Sequence, residues 1–280
     1  MQAMESSIIN LTLESFLPIE RMKEMMPAAR GSYVDAKPFP HVVVDDFLNP
    51  EVLDAVLAEF PKPNQIRWQQ FDNAREIKLA SAKEANFGPV TRLLFYHLNS
   101  MSFLEFLSGV TGISDLIPDP SLDGGGLHQI VRGGKLGIHA DFNKHPKYGL
   151  DRRLNVILYL NKSWREEYGG HLELWDRSMT KCEAKVLPIF NRMMIFGTTD
   201  FTYHGHPDPL QCLEGMTRKS LALYYFSNGR PAEEISGEHS TLFRDRHEGE
   251  SGLTMQQRMR KLIKDFLPPI VARRLRKLDP

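Results

Sequence analysis

Residues 127–142 read LHQIVRGGKLGIHADF, two short runs of apolar and β-branched residues around a Gly-Gly pair, the second closing on His139 and Asp141. Such runs bounded by glycine mark paired strands joined by a tight turn. The same texture continues in LNVILYLN (154–161), HLELWD (171–176), RMMIFG (192–197) and SLALYYFS (220–227), with Gly, Pro, Asn and Asp between them. The series predicts an all-β sandwich or barrel whose core covers about residues 125–228.

Upstream the pattern is helical. A β-branched run at 42–44 predicts one strand, and Asn49 before Pro50 predicts a helix start. Val52, Leu53, Val56, Leu57 and Phe60 then share one helix face, which needs a sheet to pack on. Residues 88–111 predict one or two helices, bent near Asn99–Ser100 and closed by Gly109 and Gly112. Residues 1–36, broken by Pro18 and Pro27, show no sustained period and read as a loosely packed extension. The organisation expected is an extension (1–36), a single domain (37–228) with a helical layer before its β core, and a polar linker with a basic amphipathic tail (229–280).

That tail carries eight Lys or Arg against one Asp within RMRKLIKDFLPPIVARRLRKL (258–278). It reads first as a terminal helix packed on its own domain, and second as a segment that lies on an anionic membrane surface or docks a partner. The whole chain balances 35 basic against 35 acidic side chains, so no nucleic-acid partner is expected. Cys182 and Cys212 form neither a C-x-x-C pair nor a disulfide framework. With no secretory leader pattern and no run of apolar residues long enough to span a bilayer, the sequence reads as cytoplasmic. No P-loop, dinucleotide fingerprint or G-x-S-x-G elbow occurs.

His-x-Asp on a strand sets both side chains on the same face, as a metal site with two imidazoles and one carboxylate requires. Ten histidines and 35 acids in 280 residues give about one His-x-Asp/Glu pair by accident, and the chain has three: His139/Asp141, His171/Glu173 and His206/Asp208. In a β barrel of this kind the third ligand returns after several strands, on the order of 50 to 70 residues. His204 lies 63 residues beyond Asp141, whereas His171/Glu173 meets its next histidines too soon and His206/Asp208 is interrupted by Pro207. The triad read from spacing is therefore His139, Asp141 and His204. His206 is a weaker alternative for the third place, because Gly205 and Pro207 suggest a turn.

Arg218 follows His204 by fourteen residues and opens the run RKSLALYYF, with Ser220 two residues on and so facing the same way. A guanidinium fork here suits a ligand carboxylate in a bidentate grip, and the Ser220 hydroxyl can add a hydrogen bond. His128, His145 and His171 read as surface or hydrogen-bonded core histidines, and Tyr159, Trp164, Tyr168 and Trp175 as packing residues.

From Leu127 to Phe226 the chain resembles the 2-oxoglutarate/Fe(II) oxygenase superfamily and, within it, the prolyl 4-hydroxylase-like group, through HQIVRGGKLGIHADF, RRLNVILYLN, GGHLEL, FTYHGHP and TRKSLALYYF. The resemblance implies a mainly β fold with flanking helices, a double-stranded β-helix (jelly-roll) core against an N-terminal helical layer. It implies Fe(II) on His139, Asp141 and His204, and 2-oxoglutarate gripped by Arg218. Where many members carry a co-substrate-binding Tyr on the strand before the His-x-Asp pair, this chain has Gln129 or Ile130. Because Asp141 is kept, the implied reaction is hydroxylation with O2, releasing succinate and CO2, with ascorbate as a reductant. The implied substrate is peptidyl or free proline, with a lipid-linked or polar secondary metabolite as the other choice.

Specificity is expected from loops 66–87, 142–152 and 163–180. Lys144, Lys147, Arg152 and Arg153 suggest either an anionic substrate or a solvated basic loop. The rival from another class is a cupin-like metal or ligand-binding module without oxygenase chemistry, which has no need of Arg218.

Overall fold

The computed structural model describes residues 13–247. The chain divides into a unit ending at Arg244 and a second running from Asp245 to Pro280. The basic amphipathic tail lies outside the described residues.

The β texture of the sequence forms one antiparallel sheet of thirteen strands that curls into a nearly closed, jelly-roll-like barrel. They are β1 (His41–Val44), β2 (Gln69–Asp72), β3 (Glu76–Ser81), β4 (Ile117–Pro118), β5 (Gly126–Val131), β6 (Lys135–Ala140), β7 (Asp151–Tyr159), β8 (Leu172–Trp175), β9 (Cys182–Val186), β10 (Arg192–Gly197), β11 (Tyr203–His206), β12 (Thr217–Ser227) and β13 (Leu242–Phe243). The ladder runs β1-β10-β7-β12-β5-β3-β6-β11-β8-β9, with β2 on β3, β4 on β12 and β13 on β6. Neighbours distant in sequence, such as β12 between β7 and β5, bring side chains from across the chain to one interior.

Alternation along two central strands divides their labour. On β7, Leu154, Val156 and Leu158 enter the main apolar core, while Asn155 and Ile157 line the barrel interior. On β12, Leu221, Leu223 and Tyr225 join that core, while Arg218, Ser220, Ala222 and Tyr224 line the interior. Both faces are covered, which is why these strands read as nearly continuous apolar runs.

Helices α1 (Leu13–Phe16), α2 (Ile19–Asp35), α3 (Pro50–Glu59), α4 (Pro89–Leu98) and α5 (Met101–Thr111) form the layer outside. Asn49 caps α3 through its side-chain oxygen, and Val52, Leu53 and Val56 are fully buried against the sheet. The Glu59 carboxylate at the end of α3 accepts from Val90 N, Thr91 N and Thr91 Oγ1, satisfying exposed donors at the start of α4 where negative charge is favoured. The bend expected at Asn99–Ser100 separates α4 from α5, and Gly112, at a φ of 75°, ends α5.

Three segments differ from their sequence reading. Residues 19–35, expected to be loosely packed, form a 17-residue helix that buries Met22, Ala29 and Tyr33. Its buried stripe is narrow and its interior Pro27 breaks the usual helix signature, so the period does not stand out. Residues 66–87, expected as a loop, contain the β2–β3 hairpin, with β3 inserted between β5 and β6. Within the expected polar linker, β13 pairs with β6 and sets Phe243 opposite His139. Among the described residues no helix is long and apolar enough to cross a membrane.

One buried amide ties the helical layer to the sheet. Asn191, just before β10, accepts from Leu48 N at 3.0 Å and donates to Leu48 O at 2.7 Å, while holding a φ of 59°. Asn191→Ala strands both Leu48 groups and keeps a backbone conformation that Ala resists. A loss of about 3 kcal/mol is expected in urea-induced unfolding; an unchanged midpoint contradicts this role.

Candidate metal centre

His139 stands near the end of β6, and antiparallel pairing sets it directly opposite His204 on β11. Asp141 follows immediately beyond the end of β6. One ligand atom from each of the three lies within 4.8 Å of the other two. The Nε2 atoms of His139 and His204 are each 3.5 Å from an Asp141 carboxylate oxygen. The three residues singled out by spacing therefore converge, and His206 is not among them; the β6–β11 register shifts between His204 and His206.

Hydrogen bonding fixes which imidazole nitrogen is available. His139 Nδ1 is 2.9 Å from Gly137 O, and His204 Nδ1 is 2.9 Å from Thr202 O. A carbonyl can only accept, so each Nδ1 carries a proton and Nε2 is the ring nitrogen turned toward Asp141 and left to ligate. Burial drives the His204 imidazole down to about 4, so it is neutral and ready to ligate. Burial alone would raise the Asp141 carboxyl, but its charged and hydrogen-bonding neighbours, Arg152 foremost, hold the group well below its ordinary value. Two imidazole nitrogens and an ionised carboxylate fit a divalent iron site with open positions.

Asp141 is oriented by residues that spacing did not single out for this role. Its Oδ2 accepts from Asn155 Nδ2 at 2.7 Å and from Arg152 Nη2 at 3.1 Å. Asn155 Oδ1 in turn accepts from Arg152 Nε and Nη2, and the guanidinium lies between the rings of Phe142 and Tyr224. Arg152 is 1% exposed, so it is neither a solvated loop residue nor a free one. Of its basic neighbours, Lys144 pairs with Asp151 at 2.8 Å and Arg153 with Glu234 at 3.5 Å. A polar Asn inside the apolar run LNVILYL was the one available signal for this arrangement.

The triad opens into a cavity of about 200 Å³. Arg218 lies on its wall at 5% exposure, its Nε donating to Gly170 O at 2.9 Å and its Nη2 3.5 Å from the Tyr159 hydroxyl. Gly170 has a φ of 71°, and a Cβ there would come within 3.0 Å of Arg218 Cδ, so glycine is what lets the arginine lie in place. Among the described residues no carboxylate pairs with Arg218. A buried cation with only neutral partners is costly unless an anion completes it, which fits a co-substrate carboxylate. Ser220, two residues along β12, lines the same cavity.

Gln129 does not belong to this site. Its Nε2 donates to Pro61 O at 3.1 Å and its Oε1 accepts from Thr217 Oγ1 at 2.8 Å, on the opposite face of β5. Strand alternation turns His128 and Ile130 to the cavity in its place. Ile130 has no hydrogen-bonding group, and His128, lowered to about 3 by burial, is neutral. Of the loops expected at the rim, 66–87 supplies Phe71, Glu76 and Lys78 and 142–152 supplies Phe142 and Arg152, whereas 163–180 reaches the cavity only through Leu172. Thr241 and Phe243 complete the lining from the segment read as a linker.

Because Asn155 both positions the Asp141 carboxylate and anchors Arg152, Asn155→Ala is expected to weaken Mn(II) binding by about ten- to a hundred-fold. Titration of the metal-free protein checks this, and unchanged affinity contradicts the orienting role.

Comparison with known proteins agrees with this geometry. A family model described as the 2OG-Fe(II) oxygenase superfamily matches residues 125–226. The mouse (Mus musculus) protein prolyl 3-hydroxylase OGFOD1 is 25% identical over 205 residues, which cover 69% of this chain and 34% of the relative. The chain thus spans about a third of the length of that curated relative. A solved Trichoplax adhaerens prolyl hydroxylase, in complex with a hypoxia inducible factor oxygen degradation domain peptide, matches with a TM-score of 0.51 at 16% identity, over 74% of this chain and 93% of its own. A Pseudomonas putida prolyl-4-hydroxylase matches at a TM-score of 0.49 and 15% identity, over 73% of this chain and 100% of its own. The stretch similar to the 2OG-Fe(II) oxygenase superfamily, residues 125–226, encloses His139, Asp141, His204 and Arg218.

Proposed function

We propose that the chain is an Fe(II)- and 2-oxoglutarate-dependent dioxygenase that hydroxylates an unactivated C–H bond and releases succinate and CO2. The observation that carries this reading is the pairing, in one cavity, of two imidazoles locked with Nε2 inward and a buried arginine lacking a carboxylate partner. His139, Asp141 and His204 hold the iron; Arg218, with Ser220 beside it, holds the far carboxylate of 2-oxoglutarate. Iron, 2-oxoglutarate and O2 together supply the oxidising chemistry, with ascorbate as a reductant that keeps the metal ferrous.

The chain's own residues do the rest. The carbonyls of Gly137 and Thr202 keep both Nδ1 protons away from the metal face, and Asn155 and Arg152 keep Asp141 ionised and aimed. Phe71, Phe142 and Phe243 line the cavity and shield it from bulk water. A cupin-like binding module, the rival reading, has no use for an arginine buried at the cost Arg218 carries.

For the substrate, peptidyl or free proline stands first, since the mouse relative is named a prolyl 3-hydroxylase and the Trichoplax neighbour a prolyl hydroxylase with a bound peptide. Incubation with candidate substrates under isotopically labelled O2, followed by mass spectrometry, tests this by the appearance of a labelled hydroxyl product.

Succinate formation from 2-oxoglutarate, dependent on added Fe(II), is expected even without substrate, and is expected to vanish in His139→Ala and Asp141→Ala. Unchanged turnover in both variants contradicts the assignment. Arg218→Ala is expected to raise the 2-oxoglutarate concentration for half-saturation by about 30-fold or more while metal affinity stays unchanged, because a buried charge partner is lost and no ligand is. Equal loss of metal binding contradicts the role given to Arg218.

A further inference from the structure

Two residues beyond His204, on the last position of β11, His206 presents the sharpest polar anomaly in the barrel. It is 3% exposed, and neither ring nitrogen has a hydrogen-bond partner among the described residues. Buried polar groups are nearly always paired, and whichever tautomer it adopts an imidazole carries at least one N–H to satisfy. No packing requirement calls for histidine here, since an apolar side chain of similar size fills the space without that penalty.

His206 lines the same cavity as His204, His139, Arg218 and Ser220, and it stands outside the three-residue ligand cluster. Gly205 between the two histidines is pressed against β6, where a Cβ would come within 2.7 Å of Gly137 O, so His204 and His206 are the two β11 side chains turned to the interior. Arg218 and Lys78 line the same cavity, Lys78 paired there with Glu76 at 3.1 Å. An unpaired imidazole N–H in the same cavity as the Arg218 guanidinium and the His139–Asp141–His204 cluster is arranged for an anion that reaches from one to the other.

We infer that His206 is a direct ligand of the 2-oxoacid co-substrate, donating an imidazole N–H to its carboxylate alongside Arg218. The inference rests on the oxygenase reading and adds a contact that the Arg218–Ser220 pair does not supply. It also explains why Gln129 can face away: the hydrogen bond expected from β5 comes from β11 instead.

The test compares His206→Gln with His206→Met, two unbranched replacements of similar size that differ in having a donor. Full-length protein loaded with Mn(II) is titrated calorimetrically with 2-oxoglutarate without turnover, and Mn(II) affinity and thermal unfolding without co-substrate are measured separately. His206→Met is expected to weaken 2-oxoglutarate binding about ten-fold or more, with Mn(II) affinity unchanged and the thermal midpoint equal or higher, because no polar group is then left unpaired. His206→Gln is expected to recover a large part of the affinity. Equal binding by the parent and His206→Met overturns the inference, as does a Met variant that loses Mn(II) binding in parallel or unfolds several degrees lower. A parent that takes up Mn(II) but no 2-oxoglutarate overturns the oxygenase reading itself.

Discussion

The site depends on one local hydrogen bond made twice. On β6 and again beside β11, a histidine Nδ1–H binds the carbonyl two residues earlier on its own chain, at Gly137 for His139 and at Thr202 for His204. Each bond fixes both the tautomer and the ring orientation. Because the antiparallel ladder places the two histidines opposite one another, their Nε2 atoms meet over Asp141. If either carbonyl contact is removed, the ring can turn or shift its proton, and the cluster is no longer a ligand set. The protein prepares the metal face with backbone geometry, which costs no additional side chains and is rigid because it belongs to the sheet.

Around that centre the sheet separates stability from chemistry. The faces of β7 and β12 that meet the helices are aliphatic or carry Tyr225, and they hold the barrel in shape. Their opposite faces carry Asn155, Arg218, Ser220 and Tyr224 into the cavity. Buried polar groups of this density are tolerable because most are paired with each other: Arg152 with Asp141 and Asn155, and Arg218 with Gly170 O. Among the described residues His206 lacks a hydrogen-bond partner and Arg218 a carboxylate one, and both line the cavity.

Much of this was legible from spacing alone. His-x-Asp alternation and the 63-residue return to His204 require only that strands have a period of two and barrels a finite circuit. Ser220 was read from Arg218 by the same alternation, and both line the cavity. Gln129 failed for a related reason: both faces of β5 are covered, so HQIV carries no contrast from which to read the phase, and an error of one residue turns every side chain to the wrong side. The insertion of β3 between β5 and β6, and the return of β13 over His139, are pairings between distant segments that neither segment encodes by itself. Arg152 was visible as a charge, but its burial between Phe142 and Tyr224 depends on contacts that only the folded barrel creates.

The most direct examination of the metal centre is X-ray absorption spectroscopy on the Fe(II)-loaded protein kept free of O2. Two imidazole scatterers in the iron shell, falling to one in His204→Ala and in His139→Ala, are the expected result. A shell with no imidazole, or one unchanged by both substitutions, contradicts the convergence of these side chains on a single ferrous ion.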